Sequence, residues 1–344
     1  MMAASGVLTF RLPDPGHRLA GVRLSQEVGI PGDLLDFRRT GNGWRLDLPR
    51  PPVHRMEYLL DLRHPDGGHE LVTDPANPLR AQGAFGVKSV LTFPGYRPPG
   101  WLTAPAEPGV TRSFELPAKS LGAAISVLVW APADAGDAEP LPLLLAHDGP
   151  EYDALASLGT FLSAGVTGGW LPRLRAALLA PGPRDRWYSA NSRYAHALRT
   201  IVLPALADLL ATSSRIGMGT SLGALAMLHA HCRYPDSFDA LFLQSGSFFL
   251  PRFDSHERRF PYYQRVTAFV AGVQAGRLPG KPVPAALTCG AIEENVHNNR
   301  LMTHVLRDHG YAAELHELAD VHNYTAWRDA FDPHLTGLLR QMYP

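Results

Sequence analysis

The chain has 344 residues, 45% of them apolar, so it can bury a large core, and its length favours two domains. Lysine plus arginine and aspartate plus glutamate number 32 each, which gives a formal net charge of zero. This balance excludes binding through bulk charge, so we expect neither a nucleic-acid partner nor a membrane surface.

The first hundred residues consist of short segments in which apolar and polar residues alternate. Examples are 7–12, 44–48 and 57–62, and clusters of proline, glycine and aspartate separate them. Alternation with a period of two, broken by turn residues, is typical of strands packed on one face. We therefore predict a small β-sandwich over 1–95, followed by a proline-rich linker over 96–108.

From residue 109 the pattern changes to continuous apolar segments separated by amphipathic ones. The predicted strands are 125–130, 141–146, 174–179, 214–218, 240–244, 285–289 and 313–318. Continuous apolar strands that alternate with helices indicate a parallel sheet covered on both faces. We expect this arrangement to extend over 109–344.

The segment Gly219-Thr220-Ser221-Leu222-Gly223 matches G-x-S-x-G, the pattern of a nucleophile elbow. A predicted strand precedes it and a predicted helix follows it, as an α/β-hydrolase fold requires. Small flanking residues allow the sharp turn, Ser221 would be the nucleophile, and the N–H of Leu222 would be one oxyanion donor. The alternative is a turn whose small residues only allow a helix to pack closely on a sheet.

A serine nucleophile needs a histidine that takes its proton and an acid that orients the histidine. In α/β-hydrolases these follow in the order serine, acid, histidine. Glu293 and Glu294 come after the predicted strand 285–289, and we favour Glu293 as the acid. His322 comes after the last predicted strand and is the expected general base.

The second oxyanion donor should come from the loop after an early strand. His147-Asp148-Gly149-Pro150 follows the strand 141–146, and glycine there would let the backbone approach an oxyanion closely. Pro150 has no N–H, so Gly149 or its neighbour is the expected donor. An ordinary turn at the end of the strand is the alternative.

Arginine and tryptophan residues follow the strand 174–179, where a substrate would bind. Arg184, Arg186 and Trp187 could hold an anionic aromatic ligand by charge and cation–π contact, and Trp170 could join them. The alternatives are arginines in surface ion pairs and tryptophans in the core. No H-E-x-x-H and no phosphate-binding glycine-rich motif occurs, so we predict no metal site and no cofactor.

No segment of about 18 apolar residues predicts a membrane-spanning helix. No basic start followed by an apolar stretch predicts a signal peptide, so we expect a cytoplasmic protein. Cys232 and Cys289 are the only cysteines. We expect two buried free thiols, with one disulfide as the alternative.

Together these motifs resemble the esterase D-like esterases, and most closely the enterochelin (ferric siderophore) esterases, which carry an N-terminal immunoglobulin-like domain. The resemblance is carried by Asp148-Gly149, Arg184 and Arg186, Gly219 to Gly223, Tyr234-Pro235-Asp236-Ser237-Phe238, Gln244-Ser245-Gly246-Ser247, Gly290-Ala291-Ile292-Glu293, and His322 with Trp327. Two positions depart from the family pattern. Ser189 stands where the family often has an acid, and Val321 stands where a glycine often precedes the histidine.

The resemblance implies a serine esterase that cleaves a small-molecule ester, such as a ferric siderophore, through an acyl-enzyme. A feruloyl or acetyl carbohydrate esterase, with the N-terminal domain as a carbohydrate-binding module, is the first alternative. An acyltransferase is another, and a non-catalytic binding module on a hydrolase fold is a third from a different class. The sequence leaves open whether the chain forms a homo-oligomer.

Overall fold

The computed structural model describes residues 6–278 and 280–343, and the chain divides into two compact units. The first contains the residues up to Arg97, together with Gly290–Glu293 and Leu318–Ala326. The second contains Pro98–Cys289, Glu294–Glu317 and the residues from Trp327 onward. The sequence did not indicate that two later segments belong with the N-terminal strands.

The first unit is built from strands that pair antiparallel into two sheets. The strands are β1 (Val7–Pro13), β2 (Gly21–Gln26), β3 (Arg38–Thr40), β4 (Gly43–Pro49), β5 (Arg55–Arg63), β6 (His69–Val72), β7 (Arg80–Gly83) and β8 (Gly86–Thr92). One sheet has the order β1-β4-β3; the other has the order β2-β5-β8-β7, with β6 paired to β5. Side chains from both sheets share one apolar cluster, in which the rings of Phe10 and Tyr58 lie 5.1 Å apart. In β1, β2 and β4 the alternating pattern is satisfied by burial of one side of the strand.

The second unit is an eight-stranded sheet with helices between its strands. Its strands are β9 (Val110–Ala118), β10 (Ala123–Ala131), β11 (Leu141–His147), β12 (Arg175–Leu179), β13 (Thr212–Thr220), β14 (Ala240–Gln244), β15 (Pro284–Gly290) and β16 (Ala312–Leu318). Its helices are α1 (Gly149–Ala156), α2 (Leu158–Thr167), α3 (Arg184–Tyr188), α4 (Ser192–Ala197), α5 (Leu203–Leu209), α6 (Leu222–Arg233), α7 (Tyr263–Gln274), α8 (Val296–Asp308) and α10 (Thr336–Met342). The helix α9 (Tyr324–Asp329) begins among the residues of the first unit and ends among those of the second. The strand order is β16-β15-β14-β13-β11-β12-β10-β9.

In sheet order, the five strands β15, β14, β13, β11 and β12 run parallel to one another, whereas β10 is antiparallel to both β9 and β12. The strands β11, β13 and β14 are buried along most of their length, because helices cover both faces of the sheet. Parallel strands end at the same edge, so the segments that follow β11, β12, β13 and β14 all leave the sheet on one side. Ligands of open α/β sheets bind at this edge.

The predicted linker 96–108 contains a packed residue. Trp101 is buried and its ring lies 5.3 Å from that of Phe161 in α2. Neither Cys232 nor Cys289 forms a disulfide and both are buried, which confirms the expected thiols. Over the described residues, every helix is too short or too polar to cross a membrane.

Candidate active site

Ser221 lies at the junction between β13 and α6, in a backbone conformation that serine rarely adopts. Its φ is 54° and its ψ is −123°. A non-glycine residue in such a region is strained, and strain of this kind is concentrated at functional sites. Backbone hydrogen bonds hold the turn in place. Ser221 N donates to the Gln244 carbonyl of β14 at 2.9 Å, and Leu225 N donates to the Ser221 carbonyl at 3.2 Å.

The two glycines of the motif are required by close backbone approach. A Cβ on Gly219 would lie 2.5 Å from the carbonyl carbon of Gly223, so any side chain there would push α6 away from β13. A Cβ on Gly223 would lie 3.0 Å from Asp148 Oδ2 and 3.2 Å from His147 Cβ. The motif therefore brings the start of α6 against the loop that follows β11.

Ser247 is a neighbour of the nucleophile candidate to which the sequence assigned no role. Its Oγ lies 3.1 Å from Ser221 Oγ, and its N–H donates to the Ser221 carbonyl at 3.1 Å. Gly246 is fixed by Asn299, which accepts from the Gly246 N–H and donates to its carbonyl, both at 3.0 Å. The Gln244-Ser245-Gly246-Ser247 motif thus forms a rigid loop beside Ser221.

Gln244 and Trp327, two further residues of the family pattern, form buried hydrogen bonds. The buried Gln244 accepts from the Tyr152 hydroxyl at 2.8 Å and donates to the Trp327 carbonyl at 3.0 Å. The Trp327 indole N–H donates to Ser245 Oγ at 3.0 Å. These bonds connect β14, α1 and the start of the C-terminal helices without exposing a polar group.

The loop after β11 is attached to the elbow through His147. His147 Nδ1 lies 2.9 Å from the Gly223 carbonyl, which can only accept, so Nδ1 carries the proton. Burial lowers the pKa of His147 to about 4, so the ring is neutral at pH 7. Asp148 follows with a φ of 51°, and Gly149 begins α1.

Gly149 is a position where only glycine fits. A Cβ there would overlap the Cα of Leu178 in β12. This close approach explains the glycine by packing, and it also places the Gly149 N–H at the first turn of α1, at the functional edge of the sheet. Its assignment as oxyanion donor, like that of Leu222 at the first position of α6, stays a prediction.

Arg184 is engaged by Asp148. Its Nε and Nη2 donate to the two carboxylate oxygens at 2.8 Å each, and Asp148 is only 1% exposed. A fork of this kind is the strongest common geometry for an arginine–carboxylate pair. Arg184 therefore holds the loop between β11 and α1, a role that the sequence did not suggest.

The other predicted substrate-binding residues separate into different environments. Arg186 is exposed, whereas Trp187 is 2% exposed and stacks on Tyr194 at 5.5 Å within the core. Trp170 lies half-buried between the end of α2 and the beginning of β12, so topology places it at the opposite edge of the sheet from Ser221. The placement of both tryptophans favours packing roles over substrate binding.

The first unit holds the candidate acid and base together. His322 Nδ1 lies 3.4 Å from Glu293 Oε1, and the Glu293 side chain is 1% exposed. Glu293 Oε2 also accepts from the Gly290 N–H at 3.1 Å, which fixes the carboxylate. An imidazole whose Nδ1 faces a buried carboxylate has its Nε2 directed away from it, which is the orientation that a general base needs.

Glu294, the alternative acid, has another neighbour. Its Oε2 lies 3.2 Å from Nε2 of His256, and its side chain is 59% exposed. Among the described residues, His256, Glu257 and Glu294 form the one group whose ligand atoms are close enough to hold a metal ion. The side chains of the three residues are 51%, 32% and 59% exposed in that order, as in ordinary surface ion pairs.

Sheet order, the antiparallel start and the strained serine between β13 and α6 define a fold of the α/β-hydrolase type. No protein-family model and no curated protein matches the sequence. Solved structures do match the fold. The ferric enterobactin esterase from Salmonella typhimurium is 19% identical with a TM-score of 0.79, over 98% of this chain and 94% of that one.

Two further structures show how far the likeness extends. The enterobactin esterase from Shigella flexneri, determined in the presence of enterobactin, is 18% identical with a TM-score of 0.78, over 98% of this chain and 94% of that one. The feruloyl esterase module from Clostridium thermocellum is 14% identical with a TM-score of 0.54, over 72% of this chain and 94% of that one. At these identities the likeness shows the fold, and it agrees with the family resemblance seen in the sequence.

Proposed function

We propose that the protein is a serine esterase in which Ser221 is the nucleophile, His322 the general base and Glu293 the acid that orients it. The observation that carries the proposal is the strained φ of 54° at Ser221, between a strand and a helix. The enzymes with the same fold over 98% of this chain are esterases by name, which supports the same reaction class.

The proposed reaction has two halves. His322 removes the proton of Ser221 as the oxygen attacks the ester carbonyl, and the N–H groups of Leu222 and Gly149 stabilise the oxyanion. The alcohol leaves with the proton from His322, and an acyl-enzyme remains on Ser221. A water molecule activated by His322 then releases the acid and restores the serine.

For the substrate we propose an ester of an anionic aromatic siderophore, such as a ferric tricatecholate. Two enzymes with this fold are named for enterobactin. On this chain Arg186 is exposed, and its backbone carbonyl accepts from Arg265 Nη2 at 2.7 Å, so the two cationic residues are neighbours. Burial lowers the pKa of Arg265, and the charge of Arg186 adds to that effect. Such a pair favours a ligand with several negative charges.

A feruloyl ester is the second candidate, because feruloyl esterases share the fold at TM-scores of 0.53 to 0.56. The two candidates differ in the charge of the substrate. Arg186→Gln should raise KM for a ferric tricatecholate ester and leave KM for a neutral methyl ferulate unchanged. Arg193→Gln, an exposed arginine of α4, is the matched control.

Hydrolysis of a panel of esters by the wild type, Ser221→Ala and His322→Ala tests the reaction. We expect each variant to lose on the order of 10³-fold in kcat, because residues of a triad act as a unit. Wild-type rates in both variants would refute the proposal.

A further inference from the structure

Arg55 is a buried arginine outside the proposed triad. It begins β5 in the first unit and is 3% exposed. Its Nη2 donates to Glu57 Oε1 at 2.9 Å, and its Nη1 lies 3.5 Å from Asp320 Oδ2 and 3.3 Å from Asn323 Oδ1. A buried guanidinium is costly to desolvate, so a chain that retains one at this position needs its several partners.

Asp320 and Asn323 lie on the two sides of His322 in the chain. Asp320 Oδ1 accepts from the Val321 N–H at 2.8 Å and from Asn323 Nδ2 at 2.9 Å. Asn323 Oδ1 accepts from the Ala326 N–H at 2.9 Å, at the start of α9. The loop is thus closed on itself, and Arg55 contacts both residues that close it.

Other contacts of the N-terminal strands hold the same loop. His54, the neighbour of Arg55, donates its N–H to the Ala319 carbonyl at 2.7 Å. Val321 is 3% exposed and belongs to the apolar cluster of the first unit. A Cβ on Gly290 would overlap the Asp320 carbonyl, so the segment that carries Glu293 also lies directly against this loop.

Arg55 balances the charge of two buried carboxylates, those of Glu57 and Asp320. Asp320 and Glu57 are 7% and 8% exposed, and Arg55 is the cation between them. Burial raises the pKa of Asp320, and the charge of Arg55 opposes that rise. Without the guanidinium, two buried carboxylates would face each other beside the His322 loop.

We propose that Arg55 is a positioning residue for the esterase reaction, which fixes the backbone on both sides of His322 through Asp320 and Asn323. The inference rests on the proposed function, because it takes His322 as the general base. It assigns the N-terminal strands to the catalytic apparatus rather than to an optional binding module. Lysine can replace the charge of the arginine but not its geometry, because a single ammonium lacks the fork that serves Glu57 and the loop at once.

The test compares Arg55→Met, Arg55→Lys and Arg63→Met by ester kinetics and by amide hydrogen exchange. Arg63 lies in the same strand but is 37% exposed and pairs with Asp36 and Asp61 on the surface, so its variant is the matched control. For Arg55→Met we expect kcat to fall about 10- to 100-fold with KM little changed, because the base is displaced while the substrate contacts are not. Arg55→Lys should restore part of kcat, and Arg63→Met should match the wild type.

Hydrogen exchange gives a readout that does not depend on activity. The peptide that covers 318–326 should exchange faster in Arg55→Met, whereas the peptide that covers β13 and the start of α6 should not change. Unchanged exchange at 318–326, or a kcat within about twofold of wild type, would overturn the inference. If Arg55→Met does not fold, Arg55→Lys keeps the charge and decides by the same two measurements.

The two proposals fail in different ways. A wild type that hydrolyses no ester and does not react at Ser221 refutes the proposed function, and with it the catalytic role of Arg55, even where exchange in the loop depends on Arg55. An active wild type whose kcat is insensitive to Arg55 refutes only the positioning role.

Discussion

Replacement of Arg184 by methionine tests whether this arginine holds the loop between β11 and α1 or binds substrate. In the structure its guanidinium forms two 2.8 Å bonds to Asp148, whose side chain is 1% exposed. Methionine keeps much of the apolar stem and removes every donor. The variant would leave a buried carboxylate without its cation, at the turn that positions Gly149.

The magnitude follows from burial. Removal of one partner from a buried ion pair costs about 3–5 kcal/mol. Because Arg184 itself is 33% exposed, water can replace part of the lost interaction, and we expect the lower end, about 3 kcal/mol. We also expect kcat to fall about 10-fold or more, because the Asp148–Gly149 turn carries a proposed oxyanion donor.

Urea denaturation of Arg184→Met and Arg112→Met measures the difference. Arg112 is also bidentate to its carboxylate, with Nη1 and Nη2 donating to Asp137 at 2.9 and 2.6 Å, but both side chains are more than 40% exposed. Its loss should destabilise the protein much less, because solvent already screens an exposed ion pair. Equal losses in the two variants would refute the burial reasoning, and an Arg184→Met enzyme with raised KM but normal kcat and stability would favour substrate contact.

Three further predictions concern the elbow, its histidine and the thiols. Gly219→Ala should lower kcat at least about 100-fold, since its Cβ would lie 2.5 Å from Gly223; normal kinetics would contradict the close approach. Burial lowers the pKa of His147 from 6.5, the value of an unfolded histidine, to about 4 in the folded protein. Because the unfolded chain then binds the extra proton first, the free energy of unfolding is highest above pH 6.5 and decreases as the pH falls towards 4. The decrease should be on the order of 3 kcal/mol. His147→Gln should flatten this part of the plot of unfolding free energy against pH, and an unchanged plot would contradict the lowered pKa of His147. Cys232, buried with a pKa raised to about 12, and the buried Cys289 should not react with a thiol reagent until the chain unfolds, and reaction in the native protein would contradict their burial.

The sequence predicts the parts of this fold that depend on local geometry. The sequence predicts an elbow at Ser221 because a strand-to-helix turn needs small residues at fixed offsets, and the structure has β13 and α6 on its two sides. The sequence favours Glu293 over Glu294 as the acid, and the structure has Glu293 buried beside His322 and Glu294 exposed. Chain order and strand ends predict where these residues lie, and their catalytic roles stay predictions.

Side-chain partners that lie far apart in sequence could not be predicted. Arg184 was expected to face a substrate, but its partner Asp148 lies 36 residues away. Arg55 and Asp320 are separated by 265 residues, and no periodic pattern connects them. Trp187 stands next to the exposed Arg186 in the sequence, yet α3 turns its ring into the core.

The most direct test of the account is the reaction of the protein with a fluorophosphonate, followed by mass spectrometry of the modified peptide. We expect one stoichiometric adduct on Ser221 in the wild type and in Ser247→Ala, and none in Ser221→Ala. We also expect a much slower reaction in His322→Ala, because the serine would lack its base. A folded wild type without an adduct, or an adduct on another residue, would contradict the assignment of Ser221 as the nucleophile.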